Sequence, residues 1–363
     1  MVIGGGVAGS AAALSLLSQG VSDVLVIEAS QYEQVRIGES VPPDIRLLLL
    51  KLGVWETFLS EGHEPCLGSC SLWGDDRPGY NDFLFNPHGH GWHLNRQRFD
   101  AFLAESVKAR DIKIESGIRF QKCEEFEDGV HLWVKNRQEE TIKLSAHFVI
   151  DATGQSANLA KGLGAKKQLL DQLVCMIGFF ELSECGDFTQ QTLLEAVEDG
   201  WWYVAKLPNR RVVAAFATDR EVIKQTTILE KEAWLNYLKK TTYIGEQLTE
   251  CSFIEDSLIV RQAPSFLLDR SVGKRWLAVG DAASTFDPIS SQGIYKALAD
   301  GIEAGAAISN YLSGNKNNLD GYDSFIKDRF QDYLNNRNYF YSTENRWPES
   351  RFWKNRRSRG FLT

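Results

Sequence analysis

A glycine-rich turn near the start of the chain constrains the fold more than any other feature. Gly4-x-Gly6-x-x-Gly9 follows a short apolar run, residues 1–3, and opens a helix of small residues. In a strand–turn–helix unit of this kind, the first glycine permits the tight bend and the third lets helix and strand pack closely. The second glycine lets the backbone approach a pyrophosphate, which the free N–H groups of the helix start attract. The sequence therefore predicts a dinucleotide-binding unit.

An acidic residue at the end of the next strand supports this prediction. Residues 24–27 form a continuous apolar run, typical of a buried parallel strand, and Glu28 ends it. A carboxylate at this place accepts hydrogen bonds from ribose hydroxyls. The cofactor-binding residues predicted in this part of the chain are Gly4, Gly6, Ala8, Gly9 and Glu28.

Two later motifs indicate that the dinucleotide is FAD. Asp151-Ala152-Thr153-Gly154 follows one apolar run, and Gly280-Asp281-Ala282-Ala283 follows another and precedes Ser291-Gln292-Gly293. These motifs resemble the FAD fingerprints of para-hydroxybenzoate hydroxylase-like flavoproteins. The resemblance implies that the aspartate of the second motif holds the ribityl chain or its ribose hydroxyls, and that the following helix start faces the flavin ring. The cofactor-binding residues that it predicts are Asp281, Gln292 and Gly293.

Two further motifs resemble those of flavin-dependent halogenases and their monooxygenase relatives. One is Arg36-Ile37-Gly38-Glu39-Ser40 with Pro43, and the other is the helix that begins near Arg96. The resemblance implies that the first motif runs beside the flavin ring and that the arginine of the second contacts FAD. We therefore predict FAD contacts from Arg36, Ser40 and Arg96. The predicted catalytic residues around the ring are Glu39, Ser40 and Gln292.

Halogenation itself is disfavoured by two departures from the halogenase pattern. Halogenases need a lysine between these two motifs to carry hypohalous acid. Here Lys51 lies shortly after the first motif, and no lysine occurs between Lys51 and Lys108. Tryptophan halogenases also carry W-x-W-x-I-P, whereas both tryptophan positions are replaced in the aligned residues 203–208.

An aromatic run points to another branch of the same group. Trp201-Trp202-Tyr203, residues 287–294 and residues 346–353 resemble the maturation flavoproteins of tryptophylquinone oxidases, which partner lysine ε-oxidase and glycine oxidase. The resemblance implies oxygenation of a tryptophan side chain in a precursor protein, leading to cysteine tryptophylquinone. The three aromatic residues would form a wall for an indole, although core packing is the alternative for each. The substrate residues predicted are His93, Trp201, Trp202 and Tyr203.

The predicted function is therefore that of an FAD-dependent monooxygenase, with other functions left open. Hydroxylation of a free indole or phenol, halogenation, and a flavoprotein that merely holds the precursor are the alternatives. The predicted partners are a precursor quinoprotein oxidase, molecular oxygen and an external electron donor. The donor is external because the two predicted domains leave no stretch for a nicotinamide reductase domain.

Composition excludes several other classes. The net charge of −8 argues against a general nucleic-acid binder. No apolar run is long enough to cross a membrane, and six scattered cysteines without a C-x-x-C pair indicate reduced thiols in the cytoplasm. No metal is predicted, because His88-x-His90-x-x-His93 lacks supporting carboxylates or cysteines. The basic residues after position 345 are either a solvated helix end, a docking surface for an acidic partner or a clamp on the rest of the chain.

The predicted fold class is α/β. A Rossmann-like, three-layer FAD-binding domain comprises residues 1–72, 93–164 and 266–310. A substrate domain rich in β-sheet comprises residues 73–92 and 165–265, and a C-terminal helical segment comprises 311–363. The 363 residues leave room for about two domains.

Overall fold

The strand before the glycine-rich turn is central in a parallel sheet. A computed structural model describes residues 1–33, 36–315 and 318–357. In these residues the strand Val2–Ile3 pairs with both neighbours, since Val2 lies opposite Ile150 on one side and Val26 on the other. From edge to edge, the sheet consists of Trp276–Ala278, Val149–Asp151, Val2–Ile3, Leu25–Glu28 and Lys113–Ser116.

Helices follow several of these strands and form the C-terminal part of the chain. The helices described are α1 (Val7–Ser18), α2 (Ile45–Lys51), α3 (Trp55–Leu59), α4 (Arg96–Lys108), α5 (Asn158–Gly162), α6 (Arg220–Gln225), α7 (Lys231–Lys239), α8 (Ile244–Gln247), α9 (Gly293–Leu312), α10 (Asn318–Thr343) and α11 (Arg351–Arg357). Helices α1 and α9 pack at very short range, because a side chain on Gly301 or Gly305 would overlap with α1. This close packing places the starts of the two helices side by side.

A second, larger sheet accounts for most of the residues between 165 and 265. Its strands, in order, are Cys251–Phe253, Leu173–Leu182, Arg211–Asp219, Gly200–Leu207, Gln191–Val197, Gly68–Leu72 and Gly79–Asp82, and Ile259–Gln262 also pairs with Leu173–Leu182. Three small sheets complete the strands described: Thr141–Ala146, Val130–Lys135 and Arg119–Glu125; Lys167–Leu169, Phe266–Leu268 and Ser284–Thr285; and Ser40–Val41, Gly91–His93 and Glu64–Cys66.

The two faces of the large sheet are buried by different parts of the chain. Trp202, Phe216 and Trp234 belong to the core on one face, which α7 covers. Tyr341 of α10 and Trp353 of α11 belong to the core on the other face. The first half of α10 packs into the core of the parallel sheet. The C-terminal helices therefore contact both parts of the molecule.

The structure confirms the predicted α/β fold class. The division into domains stays a prediction, and one strand departs from it: Gly68–Leu72 pairs with Gln191–Val197 in the large sheet, although residues 1–72 were assigned to the FAD-binding domain. Of the C-terminal segment, residues 316–317 and 358–363 lie outside the described part. Among the described residues, no helix has both the length and the apolar character needed to cross a membrane.

The basic residues between positions 346 and 357, the part of the C-terminus that the structure describes, are largely engaged within the chain. Arg356 is buried and donates two hydrogen bonds to the carboxylate of Asp219 in the large sheet. Arg346 pairs with Glu344 and Asp76. These contacts support the interpretation as a clamp, because paired or buried arginines are not available to an acidic partner.

Candidate cofactor and substrate site

A cavity of about 690 Å³ is lined by residues of both the parallel and the large sheet. The strand Val2–Ile3 and the start of α1 lie at one part of its wall, and the start of α9 lies at another. The inner face of the large sheet supplies Trp201, Tyr203 and their neighbours. The cavity therefore joins the predicted cofactor residues to part of the predicted substrate residues.

The glycine-rich turn leaves open space at one glycine and close packing at the two others. Gly6 caps α1, no side chain caps this helix start, and a Cβ atom on Gly6 would meet nothing within 4 Å. A Cβ on Gly9 would overlap with the carbonyl oxygen of Gly4, and one on Gly4 with that of Ala152. Gly4, Gly6 and Ala8 line the cavity. Space for a phosphate next to uncapped N–H groups is therefore found at Gly6.

Glu28 lies at the same end of the cavity with a fixed carboxylate. Its Oε2 accepts a hydrogen bond from the Gly5 N–H at 2.7 Å, and its Oε1 accepts two from the N–H and hydroxyl of Ser30. Residues 118–121 also line this end, because the Ile118 N–H donates to the backbone carbonyl of Glu28. Sequence analysis missed these four residues, since only the parallel pairing of their preceding strand brings them to Glu28.

The start of α9 provides a second uncapped helix end. Gln292 and Gly293 line the cavity, no side chain caps this end, and a Cβ on Gly293 would meet nothing within 4 Å. Asp281 lies nearby and is half exposed, with its Oδ1 at 3.2 Å from the Nζ of the buried Lys296. Lys296, which also lies 3.9 Å from Asp300, therefore offsets part of the negative charge of Asp281 at the cavity wall.

Arg36 and Arg96 share one buried carboxylate. The Nε of Arg36 lies 3.2 Å from Asp100, and the Nη2 of Arg96 lies 3.1 Å from the same side chain. Arg96 also donates to the backbone carbonyls of Ile37 and Gly38. Both arginines line the cavity, and Arg96 holds the backbone next to Glu39 in place.

Glu39 is a buried carboxyl that lacks a regular hydrogen-bond partner. It is 2% exposed, and neither oxygen is paired within the described part of the chain. Loss of solvation raises its pKa to about 7. The Arg96 guanidinium and the backbone amides of Gly38 and Glu39 oppose this shift only in part. Glu39 lies in the cavity wall with its carboxyl buried.

A chain of hydrogen bonds connects the cavity to His93. The Ser40 hydroxyl is 2.8 Å from the Tyr203 hydroxyl and 2.9 Å from that of Thr192, which in turn is 2.9 Å from Nε2 of His93. Ser40 and Tyr203 line the cavity, whereas His93 is fully buried behind them. Burial lowers the pKa of His93 to about 4. His93 thus reaches the site through Thr192, which sequence analysis missed.

The aromatic run does not form one continuous wall. Trp201 and Tyr203 face the cavity, but Trp202 lies on the opposite face of the sheet, where it packs against Phe216 and Trp234. The prediction that Trp202 lines an indole site is therefore wrong, because successive side chains of a strand point to opposite faces.

Tyr341, from the distant helix α10, supports this part of the wall without lining the cavity itself. The Trp201 Nε1–H donates to its hydroxyl at 3.0 Å, and that hydroxyl donates to Oδ2 of Asp287 at 2.7 Å. Trp201 and Asp287 both line the cavity. No local pattern around residue 341 could have indicated this contact, which spans 140 positions.

Comparison with known proteins identifies the cofactor. The family described as FAD binding domain matches residues 1–336. The chain belongs to this family. It is 30% identical over 358 residues to the FAD-dependent oxidoreductase LodB of Marinomonas mediterranea, covering 98% of this chain and 96% of LodB. Both the predicted cofactor, FAD, and the predicted class, an FAD-dependent oxidoreductase, are confirmed.

Halogenases and a hydroxylase share the fold. The tryptophan 2-halogenase of Chondromyces crocatus is 23% identical over 86% of this chain, which spans only 61% of that protein. The structure of the flavin-dependent halogenase CmlS aligns with a TM-score of 0.87 at 26% identity, covering 99% of this chain and 67% of CmlS. The peptidyl tryptophan dihydroxylase QhpG, essential for tryptophylquinone cofactor biogenesis, aligns with a TM-score of 0.78 at 20% identity, covering 98% and 78%.

The residues present fit FAD. Two uncapped helix starts meet one cavity, and Gly6 and Gly293 leave space there that any other side chain would fill. The predicted roles of individual residues toward FAD stay predictions. Among the described residues, no group of histidine, cysteine or acidic side chains could hold a metal ion.

Proposed function

We propose that this flavoprotein is a monooxygenase that hydroxylates a tryptophan side chain of a precursor protein during tryptophylquinone biosynthesis. The resemblance to maturation flavoproteins, the 30% identity to LodB and the fold shared with a peptidyl tryptophan dihydroxylase support this function. The single observation that carries it is the cavity, because Trp201 and Tyr203 line the same cavity as the start of α9. A flat aromatic ring held there would lie against the cofactor.

Different residues of the chain bind the cofactor, exclude water and hold the aromatic side chains of the cavity in place. Bound FAD supplies the redox chemistry with molecular oxygen, and an external donor reduces it. The starts of α1 and α9 would hold FAD, because their free N–H groups and positive dipole ends attract anionic groups. The buried floor from the large sheet excludes water from the reacting ring. Tyr341 fixes the indole of Trp201, and Ser40 fixes the hydroxyl of Tyr203.

Co-expression with a candidate quinoprotein precursor tests this proposal. We expect intact protein mass spectrometry to detect oxygen atoms added to one tryptophan of the precursor. The matched control is Gly6→Ala, which places a methyl group in the space left for the cofactor and should abolish or strongly reduce the added mass. A precursor that binds the flavoprotein but gains oxygen equally with the Gly6→Ala variant would reject the proposal in favour of a holding role.

Halogenation is the second candidate, because CmlS and several other relatives are halogenases. The lysine between the two motifs, Lys51, opposes it, because its side chain is largely exposed, pairs with Glu303 and does not line the cavity. Incubating the reduced holoenzyme with oxygen, bromide and free tryptophan distinguishes the two. Brominated tryptophan would favour halogenation over the proposed hydroxylation.

A further inference from the structure

Lys296, in the first turn of α9, is a buried lysine whose position requires an explanation. Its side chain is 1% exposed, and its Nζ donates a hydrogen bond to the carbonyl oxygen of Ser284 at 2.7 Å. Lysines are rarely buried without a partner of opposite charge, because removing an ammonium group from water costs free energy. Two carboxylates lie near this Nζ, and they differ in the other partners that they have.

The more buried of the two carboxylates, Asp300, is already paired. Its Oδ1 accepts a hydrogen bond from Arg329 at 2.7 Å, and its Oδ2 accepts one from the Gly280 N–H at 3.1 Å. The Nζ of Lys296 is farther away, at 3.9 Å from Oδ2. Asp300 therefore does not by itself account for a second buried cation.

The other carboxylate, Asp281, is closer to Lys296 and is open to the cavity. Its Oδ1 lies 3.2 Å from Nζ, and its side chain is 50% exposed and lines the cavity. A carboxylate that water reaches does not need a buried cation, and burying a lysine to pair with it adds little or nothing to stability. What the lysine provides is a fixed position for Oδ1, while Oδ2 of Asp281 has no partner among the described residues.

Lys296 can reach a ligand in the cavity only through its neighbours. Its own side chain does not line the cavity, whereas Asp281 and Phe286 do. The Nζ lies 5.3 Å from the centre of the Phe286 ring, which stacks on Tyr333. The lysine is thus held behind two side chains of the cavity wall, and Asp281 is the one of the two that can bind a polar group.

We propose that Lys296 is a positioning residue, which holds Asp281 so that Oδ2 of Asp281 accepts a hydrogen bond from a hydroxyl group of FAD. The resemblance to other flavoproteins predicts the contact between Asp281 and FAD, and the role of Lys296 is additional to it. A side chain that is fixed before binding loses less conformational entropy when the ligand arrives, so it contributes more to affinity than a mobile one.

Titration of the FAD-free protein with FAD, followed by flavin fluorescence, tests this role. We expect Lys296→Met to raise the dissociation constant of FAD about tenfold or more. In a protein that already carries Asp281→Asn, Lys296→Met should change the dissociation constant by no more than about twofold, because the carboxylate that Lys296 holds is absent. A merely structural role of Lys296 would not depend on Asp281 in this way.

Arg329→Met is the matched control. It removes the other cation that pairs with Asp300 and leaves Lys296 and Asp281 in place. We expect this variant to unfold at a lower urea concentration, but to bind FAD within about twofold of the wild type. If Lys296→Met does not fold without FAD, Lys296→Gln, which removes the charge but retains an amide donor, replaces it with the same expectation.

Four outcomes would overturn the proposal. The first is unchanged FAD affinity in Lys296→Met. The others are an equal loss of affinity with and without the Asp281 carboxylate, an equal loss in Arg329→Met, and failure of both Lys296 variants to fold. None of these measurements involves turnover or a precursor, so the result is distinguishable from a failure of the proposed function.

Discussion

Two glycines of the first turn have different neighbours, so the same substitution should have different effects. Gly9→Ala places its Cβ against the Gly4 carbonyl oxygen, and we expect the free energy of unfolding to fall by about 1–3 kcal/mol. Gly6 has a φ of −71°, and a Cβ there is unobstructed. Gly6→Ala should therefore leave the stability of the FAD-free protein unchanged while weakening FAD binding about tenfold or more.

Urea unfolding of the FAD-free variants and titration of FAD fluorescence measure the two effects. Each variant is the control for the other, because the chemical change is identical. Unaltered FAD affinity in Gly6→Ala would contradict the placement of the pyrophosphate at this turn.

Glu39 should make stability depend on pH in an unusual direction. Its pKa is raised from 4.5 to about 7 in the folded protein, so between these values the folded state binds a proton that the unfolded state lacks. The stabilisation is complete below the lower value and is lost as the pH rises through 7. Relative to Glu39→Gln, the FAD-free wild type should lose on the order of 3 kcal/mol over this interval.

Urea unfolding of both proteins at a series of pH values checks this expectation. Arg96 and Tyr203 face the carboxyl and are retained in both proteins, so the difference isolates Glu39. Parallel pH profiles would contradict the raised pKa.

At the scale of elements, α11 anchors the C-terminal segment through one side chain. Arg356 is fully buried and binds Asp219 at 3.0 and 2.8 Å. Arg356→Met leaves the carboxylate of Asp219 without its charged partner, so we expect the free energy of unfolding to fall by about 3–5 kcal/mol.

Lys354→Met on the same helix is the matched control. Lys354 is half exposed and pairs with the exposed Glu349, and such pairs contribute less than about 1 kcal/mol. Equal losses in the two variants, measured by urea unfolding, would refute the anchoring role of Arg356.

Elements with short-range signals could be predicted, and those that depend on distant contacts could not. The turn at Gly4–Gly9 and the helix start at Gly293 could be predicted, because the motif that indicates each of them is local in the sequence. The orientation of Trp202 follows from strand alternation, which places its side chain on the face opposite Trp201 and Tyr203. Thr192 and Tyr341 contact site residues that are distant in the sequence, and the sequence around each of them does not indicate these contacts.

At the scale of the whole molecule, FAD should stabilise both sheets together. The cavity takes its lining from the parallel sheet and from the large sheet, so a ligand there binds only when both are folded. At a free FAD concentration of about 100 times Kd, we expect about 2.7 kcal/mol of added stability. Calorimetry at increasing FAD should show every unfolding transition move upward, and Gly6→Ala should need more FAD for the same shift. A transition that does not respond to FAD would mean that one part unfolds independently of the cavity.

The C-terminal cover of the large sheet has a consequence for synthesis of the protein. The last strand of that sheet ends at Gln262, but Tyr341, Phe352 and Trp353, which bury its inner face, emerge from the ribosome about 80 to 90 residues later. In the parallel sheet, Val2–Ile3 lacks one of its two neighbouring strands until Val149–Asp151 is synthesised. Val149–Asp151 in turn lacks its outer neighbour until Trp276–Ala278 is synthesised. We therefore expect the nascent chain to expose an apolar sheet face until α11 is made, which is the kind of surface that promotes aggregation and binds chaperones.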